Sequence, residues 1–401
     1  MRVLLIDVVC KYGSTGKIVY DLYSQINASG DEAAICYGRG PKIKEKNIFK
    51  FSFNFETFLH AFLTRLTGRT GCFSYFSTKR LIKFIKKFKP DVVHLHELHA
   101  YFLNIVPLLN FLKKQNIKVI HTLHCAYSYT GKCGHHFECD KWKKECGKCP
   151  RLHEYISSSF FDRTRKMFLA KKKAFTGFKD FTVVSPSKWL GSFAKESFLG
   201  QYPVKIIPNG INCSIFYPRN TAKLREKLNI NENEKVVLAL APNLMSNAKG
   251  GKLVLEIAEK MKNENVKFIM VGVDENYVLH PSNVQIFKRT NNQDELAEFY
   301  SLADAFVICS DKENFPTTCI EAQCCGTPIC GFDVGGTKET SLLNRNTFVE
   351  YGKTDDLIDI IRLLLKDNYK EKFDVANEAK KIYDKQKAFE QYLALYRGEN
   401  E

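Results

Sequence analysis

Glu313-Asn-Phe-Pro-Thr-Thr-Cys-Ile-Glu321-Ala-Gln-Cys-Cys-Gly326-Thr327-Pro328 sets two carboxylates eight residues apart. The run before it, Ala305-Phe-Val-Ile-Cys-Ser310, reads as a buried strand, and Pro328-Ile-Cys-Gly-Phe332 reads as the next. Between them Pro316 suits the first turn of a helix and Gly326 its end. Glu313 is then expected on the loop leaving a strand, with Glu321 two turns into the following helix. In an open α/β sheet that strand end is where ligands bind. Ionised carboxylates only accept hydrogen bonds, which suits the hydroxyls of a sugar and a ribose. The plainer alternative is a surface glutamate followed by a helix-face glutamate.

Strand-like runs recur on both sides of this segment. In the first half they are Arg2–Asp7, Glu32–Tyr37, Asp91–His96, Lys118–His124 and Phe181–Ser185, with helical patterns between most of them. A second series covers Val236–Ala241, Lys267–Gly272, Val284–Phe287, Ala305–Ser310 and Pro328–Phe332. Strand and helix in alternation predict parallel, doubly wound sheets. With 401 residues there is chain enough for two cores. The expected division is residues 1–204, residues 205–370 and a helical tail, 371–401, patterned from Lys370 to Tyr396.

A composition 44% apolar and 26% charged is that of a globular protein. Met1–Ile6 runs straight into Asp7 and reads as a short strand rather than a signal peptide, and Tyr101–Leu112 is too short to span a bilayer. A cytoplasmic protein is expected. The net charge of +16 is unevenly spread: residues 1–188 hold 33 Lys and Arg against 14 Asp and Glu, and the remainder 27 against 30. Such a basic half points to an anionic partner, whether lipid, a phosphate-bearing acceptor or nucleic acid. It also holds Phe55, Phe58, Leu59 and Phe62 at helical spacing, followed by the basic run Lys79–Lys89. These aromatics form either a core-facing helix or an element at a membrane surface.

Cys133, Cys139, Cys146 and Cys149 fall in one polar, Lys-rich loop ending Cys146-Gly-Lys-Cys149. A C-x2-C pair with a second pair nearby is the spacing of a structural zinc site, and His135 or His136 could replace a ligand. Free thiols and redox pairs are the alternatives. Near the start, Cys10-Lys-Tyr-Gly13-Ser-Thr-Gly16-Lys17 stands between a strand and the helix Ile18–Ile26. It is either a plain helix cap or a turn that lets an anion approach backbone N–H groups.

The spacing Glu313-x7-Glu321 resembles the signature of retaining glycosyltransferases of family 4, which have the GT-B fold: two Rossmann-like domains facing across a cleft. Further segments resemble family motifs in order. Gly16 matches the glycine loop facing the donor diphosphate, and His124 the histidine at a strand tip beside the acceptor. Asp91-Val-Val-His94-Leu-His96-Glu97, Val184–Ser187 and Pro208-Asn209-Gly210 match others, and the loop containing Gly335 and Gly336 matches one facing the donor. Lys249-Gly250 match the cation that holds the leaving diphosphate. The family's accompanying Arg is replaced here by Asn243, leaving Lys252 or another basic group to supply the second charge. The cysteine loop resembles an insertion in some capsule and exopolysaccharide enzymes of the family.

The resemblance implies a hexosyltransferase acting with retention. In it Glu321 binds the ribose of a UDP- or GDP-sugar, Glu313 the donor sugar, and Lys249 the diphosphate. His124 serves the acceptor, a lipid-linked saccharide used in surface polysaccharide synthesis. No catalytic cofactor is implied, only the possible structural zinc. The protein is expected to act peripherally at the inner face of the cytoplasmic membrane, with an anionic lipid surface and no nucleic acid as partner. A GT-B nucleotide-sugar epimerase and a zinc-dependent nucleic-acid-binding protein are the competing readings; no nucleic-acid motif accompanies the charge.

Overall fold

In the computed structural model, residues 1–274, 279–342, 347–366 and 372–399 are described. They form two units: residues 1–207 with 389–401, and residues 208–388. The chain expected to leave the second domain at 371 therefore stays with the second unit through Ala388, and Lys370 itself lies outside the described residues.

The first unit is built on a seven-stranded sheet: β1 (Arg2–Asp7), β2 (Glu32–Tyr37), β3 (Ile48–Lys50), β4 (Val92–Leu95), β5 (Lys118–Thr122), β6 (Phe181–Ser185) and β7 (Val204–Ile206). Every pairing is parallel, in the order β3-β2-β1-β4-β5-β6-β7. Strand order reverses between β1 and β4, which makes their C-terminal ends the ligand crevice of such a sheet. Helices α1 (Gly13–Ala28), α2 (Asn54–Thr67), α3 (Tyr75–Phe88), α4 (Ile105–Lys114), α5 (Thr164–Phe175) and α6 (Lys188–Glu196) connect the strands. Val3, Leu4, Leu5 and Ile6 are all fully buried, as a strand covered on both faces requires.

The second unit has α7 (Ala222–Lys227), β8 (Lys235–Leu240), α8 (Gly251–Lys260), β9 (Val266–Val271), β10 (Val284–Phe287), α9 (Gln293–Leu302) and β11 (Ala305–Ile308). It continues with α10 (Thr317–Cys324), β12 (Ile329–Phe332), β13 (Phe348–Val349), α11 (Thr354–Lys366) and α12 (Lys372–Tyr383). Its sheet is also parallel, ordered β10-β9-β8-β11-β12-β13, with the reversal between β8 and β11. Asn292 starts α9 by accepting the Asp294 N–H at 3.0 Å, and Asp294 and Glu295 place negative charge in the first turn. The tail is two helices, α12 and α13 (Lys385–Arg397), and the second returns to the first unit from Phe389.

The aromatic helix α2 is inside out. Phe55, Phe58, Leu59 and Phe62 are 64%, 83%, 50% and 59% exposed, while Glu56, His60 and Thr64 are buried. The Glu56 carboxylate accepts the N–H groups of Phe76 (2.7 Å) and Ser77 (2.8 Å), satisfying the start of α3. His60 Nε2 accepts the Cys72 N–H at 3.3 Å, so its Nδ1–H donates to Ser74 Oγ, 2.7 Å away. A polar face locked by these bonds turns the apolar face outward, which decides against the core-facing alternative. Among the described residues no helix is long and apolar enough to cross a membrane.

Candidate active site

At the β8/β11 reversal the loop after β8 carries Lys249, and the loop after β11 carries Glu313. Lys249 Nζ donates to Glu313 Oε1 at 2.5 Å, both side chains being partly shielded. Two glycines allow the loops to close on each other. A Cβ on Gly250, at φ +70°, would stand 2.0 Å from the Cys309 carbonyl oxygen. One on Gly335, at φ +60°, would stand 1.8 Å from the Glu313 carbonyl oxygen. Gly335 and buried Gly336 thus lie against the backbone of the first glutamate. Asn209 Nδ2 donates to the Phe315 carbonyl at 3.2 Å, fastening the Pro208–Gly210 segment to the same loop.

Glu321 lies in the second turn of α10, since the helix starts at Thr317 and Pro316 precedes it as cap. It is 8% exposed, and Tyr300 donates its hydroxyl to Oε2 at 2.9 Å. Asn243 is exposed, and its carbonyl accepts from the Ser246 backbone and hydroxyl. Lys252 is exposed in the first turn of α8. The region thus carries Lys249, Glu313, Glu321, a glycine loop and the N-terminus of α8, a set suited to a ligand with anionic and hydroxylated parts.

At the β1/β4 reversal of the first unit, Gly16 is buried in the first turn of α1 and its carbonyl accepts the Lys11 N–H at 3.0 Å. His124, just past β5, has its Nε2 3.2 Å from His96 Nδ1. Burial holds its pKa below the usual imidazole range, although the Glu97 charge acts the other way. His94 on β4 and His96 just past its end point to the same side, with rings 4.0 Å apart. His94 is committed to packing: its nitrogens lie 2.8 Å from the Tyr396 hydroxyl and 2.7 Å from Thr122 Oγ1.

Sequence alone assigns no role to three groups there, Asp7, Glu97 and Cys125. Asp7, the last residue of β1, is fully buried, and its Oδ1 accepts the Glu97 N–H at 3.0 Å. Burial pushes its pKa up to about 7, against the pull of the Val8 and Glu97 N–H groups. Glu97 would also be raised by burial, but its ion pair with His99 (3.3 Å) outweighs this and holds it at about 2. Cys125 Sγ is 3.3 Å from the same carboxylate. The available signal was position: Asp7 ends a strand immediately before a glycine loop.

An acid whose folded pKa is raised binds more protons folded than unfolded between about pH 4 and 7, so its contribution to stability falls as pH rises through that window. Asp7→Asn should therefore raise unfolding free energy at pH 8 by up to about 4 kcal/mol and change it little at pH 4. Urea unfolding at the two pH values checks this; equal effects at both would show that Asp7 ionises normally in the fold.

Cys133, Cys139, Cys146 and Cys149 are partly exposed, form no disulfide and line one cavity. Among the described residues, the set with three metal-ligating atoms within 4.8 Å of one another is Glu97, His99 and Cys125, not the four loop cysteines.

Two family models match the chain, "Glycosyltransferase Family 4" over residues 15–215 and "Glycosyl transferases group 1" over residues 220–382. Escherichia coli WcaC, a "putative colanic acid biosynthesis glycosyl transferase", is 23% identical over 82% of each chain. The lipopolysaccharide 1,2-N-acetylglucosaminetransferase of Salmonella typhimurium is 26% identical over 51% of this chain and 57% of its own. Anabaena HepE, solved in complex with UDP-glucose, superposes with a TM-score of 0.67 at 15% identity, covering 99% of this chain and 100% of that one. Two parallel sheets, each with its reversal point, and these matches define a glycosyltransferase of GT-B fold. The chain belongs to glycosyltransferase family 4.

Proposed function

We propose that this enzyme is a retaining hexosyltransferase that moves a sugar from a UDP- or GDP-sugar to a lipid-linked saccharide during surface polysaccharide synthesis. The observation that carries the reading is the Lys249–Glu313 pair standing with Glu321 at the β8/β11 reversal. Lys249 and the N-terminus of α8 offer positive charge to a diphosphate, Glu313 accepts from the sugar, and Glu321 accepts from the ribose. The retaining course rests on the two-glutamate motif. HepE with bound UDP-glucose supports the donor class, and the named roles of the colanic acid and lipopolysaccharide relatives support the acceptor class.

A panel of nucleotide sugars read by thermal shift tests the donor. At a hundredfold excess over Kd a ligand bound only by the folded state adds about 2.7 kcal/mol. Stabilisation by no uridine or guanosine diphosphate sugar would sink the reading. Release of nucleoside diphosphate only when acceptor is added would separate transfer from epimerisation.

Membrane association is part of the proposal, supported by the outward aromatic face of α2 and by exposed Lys83, Lys86 and Lys87 on α3. Aromatic side chains add an apolar attraction that salt does not screen, and each cation adds about 1 kcal/mol at an anionic surface. The protein should bind anionic liposomes, partly release at high salt, and bind neutral ones weakly. Replacing Lys83, Lys86 and Lys87 with Glu should weaken binding without changing turnover of a soluble acceptor analogue. Wild-type protein that ignores anionic liposomes at low salt would refute the association.

A further inference from the structure

The loop between β5 and α5 packs its aromatic side chains into the core of the first unit. Trp142 is 2% exposed, packs on Tyr129, His136 and Phe193, and donates its indole N–H to the Cys139 carbonyl at 2.8 Å. Around it Cys133, Cys139, Cys146 and Cys149 line a common cavity. Cys146 Sγ accepts the Gly131 N–H at 3.2 Å. His136 lines the same cavity, and among the described residues its buried Nε2 has no hydrogen-bond partner.

Buried Lys132 lines the same cavity, and a second buried lysine, Lys171, stands on α5. Lys132 and Lys171 are each 4% exposed. The Lys132 ammonium donates to three carbonyls, those of Leu152 (3.0 Å), Glu154 (2.9 Å) and Ile156 (3.0 Å). The Lys171 ammonium donates to the Tyr127 carbonyl at 2.5 Å and lies 3.8 Å from the centre of the Tyr127 ring. Among the described residues neither forms an ion pair with a carboxylate. Two ammonium groups buried without counter-ions are expensive, and such charges are ordinarily paired or set beside a metal centre. Burial lowers the pKa of both lysines; acting the other way are the nearby thiols Cys146 and Cys133 for Lys171, and Cys133, Cys149, Glu154 and Asp162 for Lys132.

We infer that Cys133, Cys139, Cys146 and Cys149 bind one zinc ion as a tetrathiolate, with Lys132 and Lys171 as its buried counter-charges. Each thiol passes its proton to solvent as its sulfur takes the metal. Four thiolates on a dication leave two negative charges, equal in number to the two ammonium groups. Since the sulfurs line the cavity without gathering to ligand spacing, binding draws the loop closed, and metal affinity becomes folding energy of the loop. The ion's role is structural: the shell is filled by protein sulfur, leaving no open position for substrate. The loop begins directly after His124 and Cys125, so its closure fixes where the tip of β5 ends.

Elemental analysis of the full-length protein, purified without chelators, should find about one zinc per chain. Titrating the wild-type protein with a mercurial reagent should release that zinc in step with thiol modification, as read by a chromogenic chelator. This needs no variant to fold. Cobalt in place of zinc should give the intense visible bands of a tetrahedral tetrathiolate. Lys132→Met and Lys171→Met should each weaken zinc affinity about ten- to a hundredfold, as loss of a group supporting a metal shell does. Zinc well below one per chain, iron in its place, a Cys133–Cys149 disulfide in freshly prepared protein, or lysine variants with unchanged affinity would each overturn the assignment.

Discussion

Lys249→Ala is expected to lower kcat by about a hundred- to a thousandfold, with a smaller effect on donor KM. The ammonium lies 2.5 Å from Glu313, at the strand reversal where the proposed diphosphate departs. Charge grows on the leaving group as the glycosidic bond breaks, so a fixed cation there is worth most in the transition state. Loss of one such preorganised group costs about 3–4 kcal/mol in comparable sites. Lys249→Arg should recover part of the rate, because it keeps the charge but changes its position. Steady-state kinetics decide the matter: unchanged kcat with raised KM would make Lys249 a ground-state binding group only.

Glu321→Gln should raise donor KM by about ten- to a hundredfold while the protein still folds. A buried carboxylate accepting from ribose hydroxyls makes charge-assisted hydrogen bonds worth about 1.5–3 kcal/mol. Glutamine is the sharper substitution, because an amide oxygen can still accept the Tyr300 hydroxyl that Glu321 Oε2 now accepts. Alanine would leave that hydroxyl buried and unpaired, mixing a stability loss into the binding loss. Wild-type affinity of Glu321→Gln for both UDP and GDP would remove the residue from the site.

The central strands were legible because burial on both faces leaves near-continuous apolar runs, as in Arg2–Asp7 and Phe181–Ser185, which match the structure residue for residue. The edge strands β3, β7 and β13, two or three residues long, carry no such run. Periodicity showed that Phe55, Phe58 and Phe62 share a helix face, but not that this face turns outward. That is settled by Glu56 and His60, whose partners lie on the following helix and loop. Lys249 and Glu313 were legible as motif residues. Asp7 and Glu97, joined by a backbone-to-carboxylate bond across ninety positions, were not, since burial and pairing set their protonation. Cysteine spacing marked the loop, but Lys132 and Lys171 acquire meaning only once both are seen buried.

The helix α13 carries a consequence for synthesis on the ribosome. Its Tyr396 hydroxyl meets His94, and its Tyr392 hydroxyl meets Thr122 at 3.0 Å, so the faces of β4 and β5 are finished by residues made after the whole of 208–388. At about 5–20 residues per second, the nascent first unit waits roughly 10–40 s with those imidazole and hydroxyl groups uncovered. All of the second unit's own residues, 208–388, are made before α13 leaves it. That unit can complete its sheet while its neighbour is still a partly open intermediate, which reverses the usual N-terminal-first order of maturation.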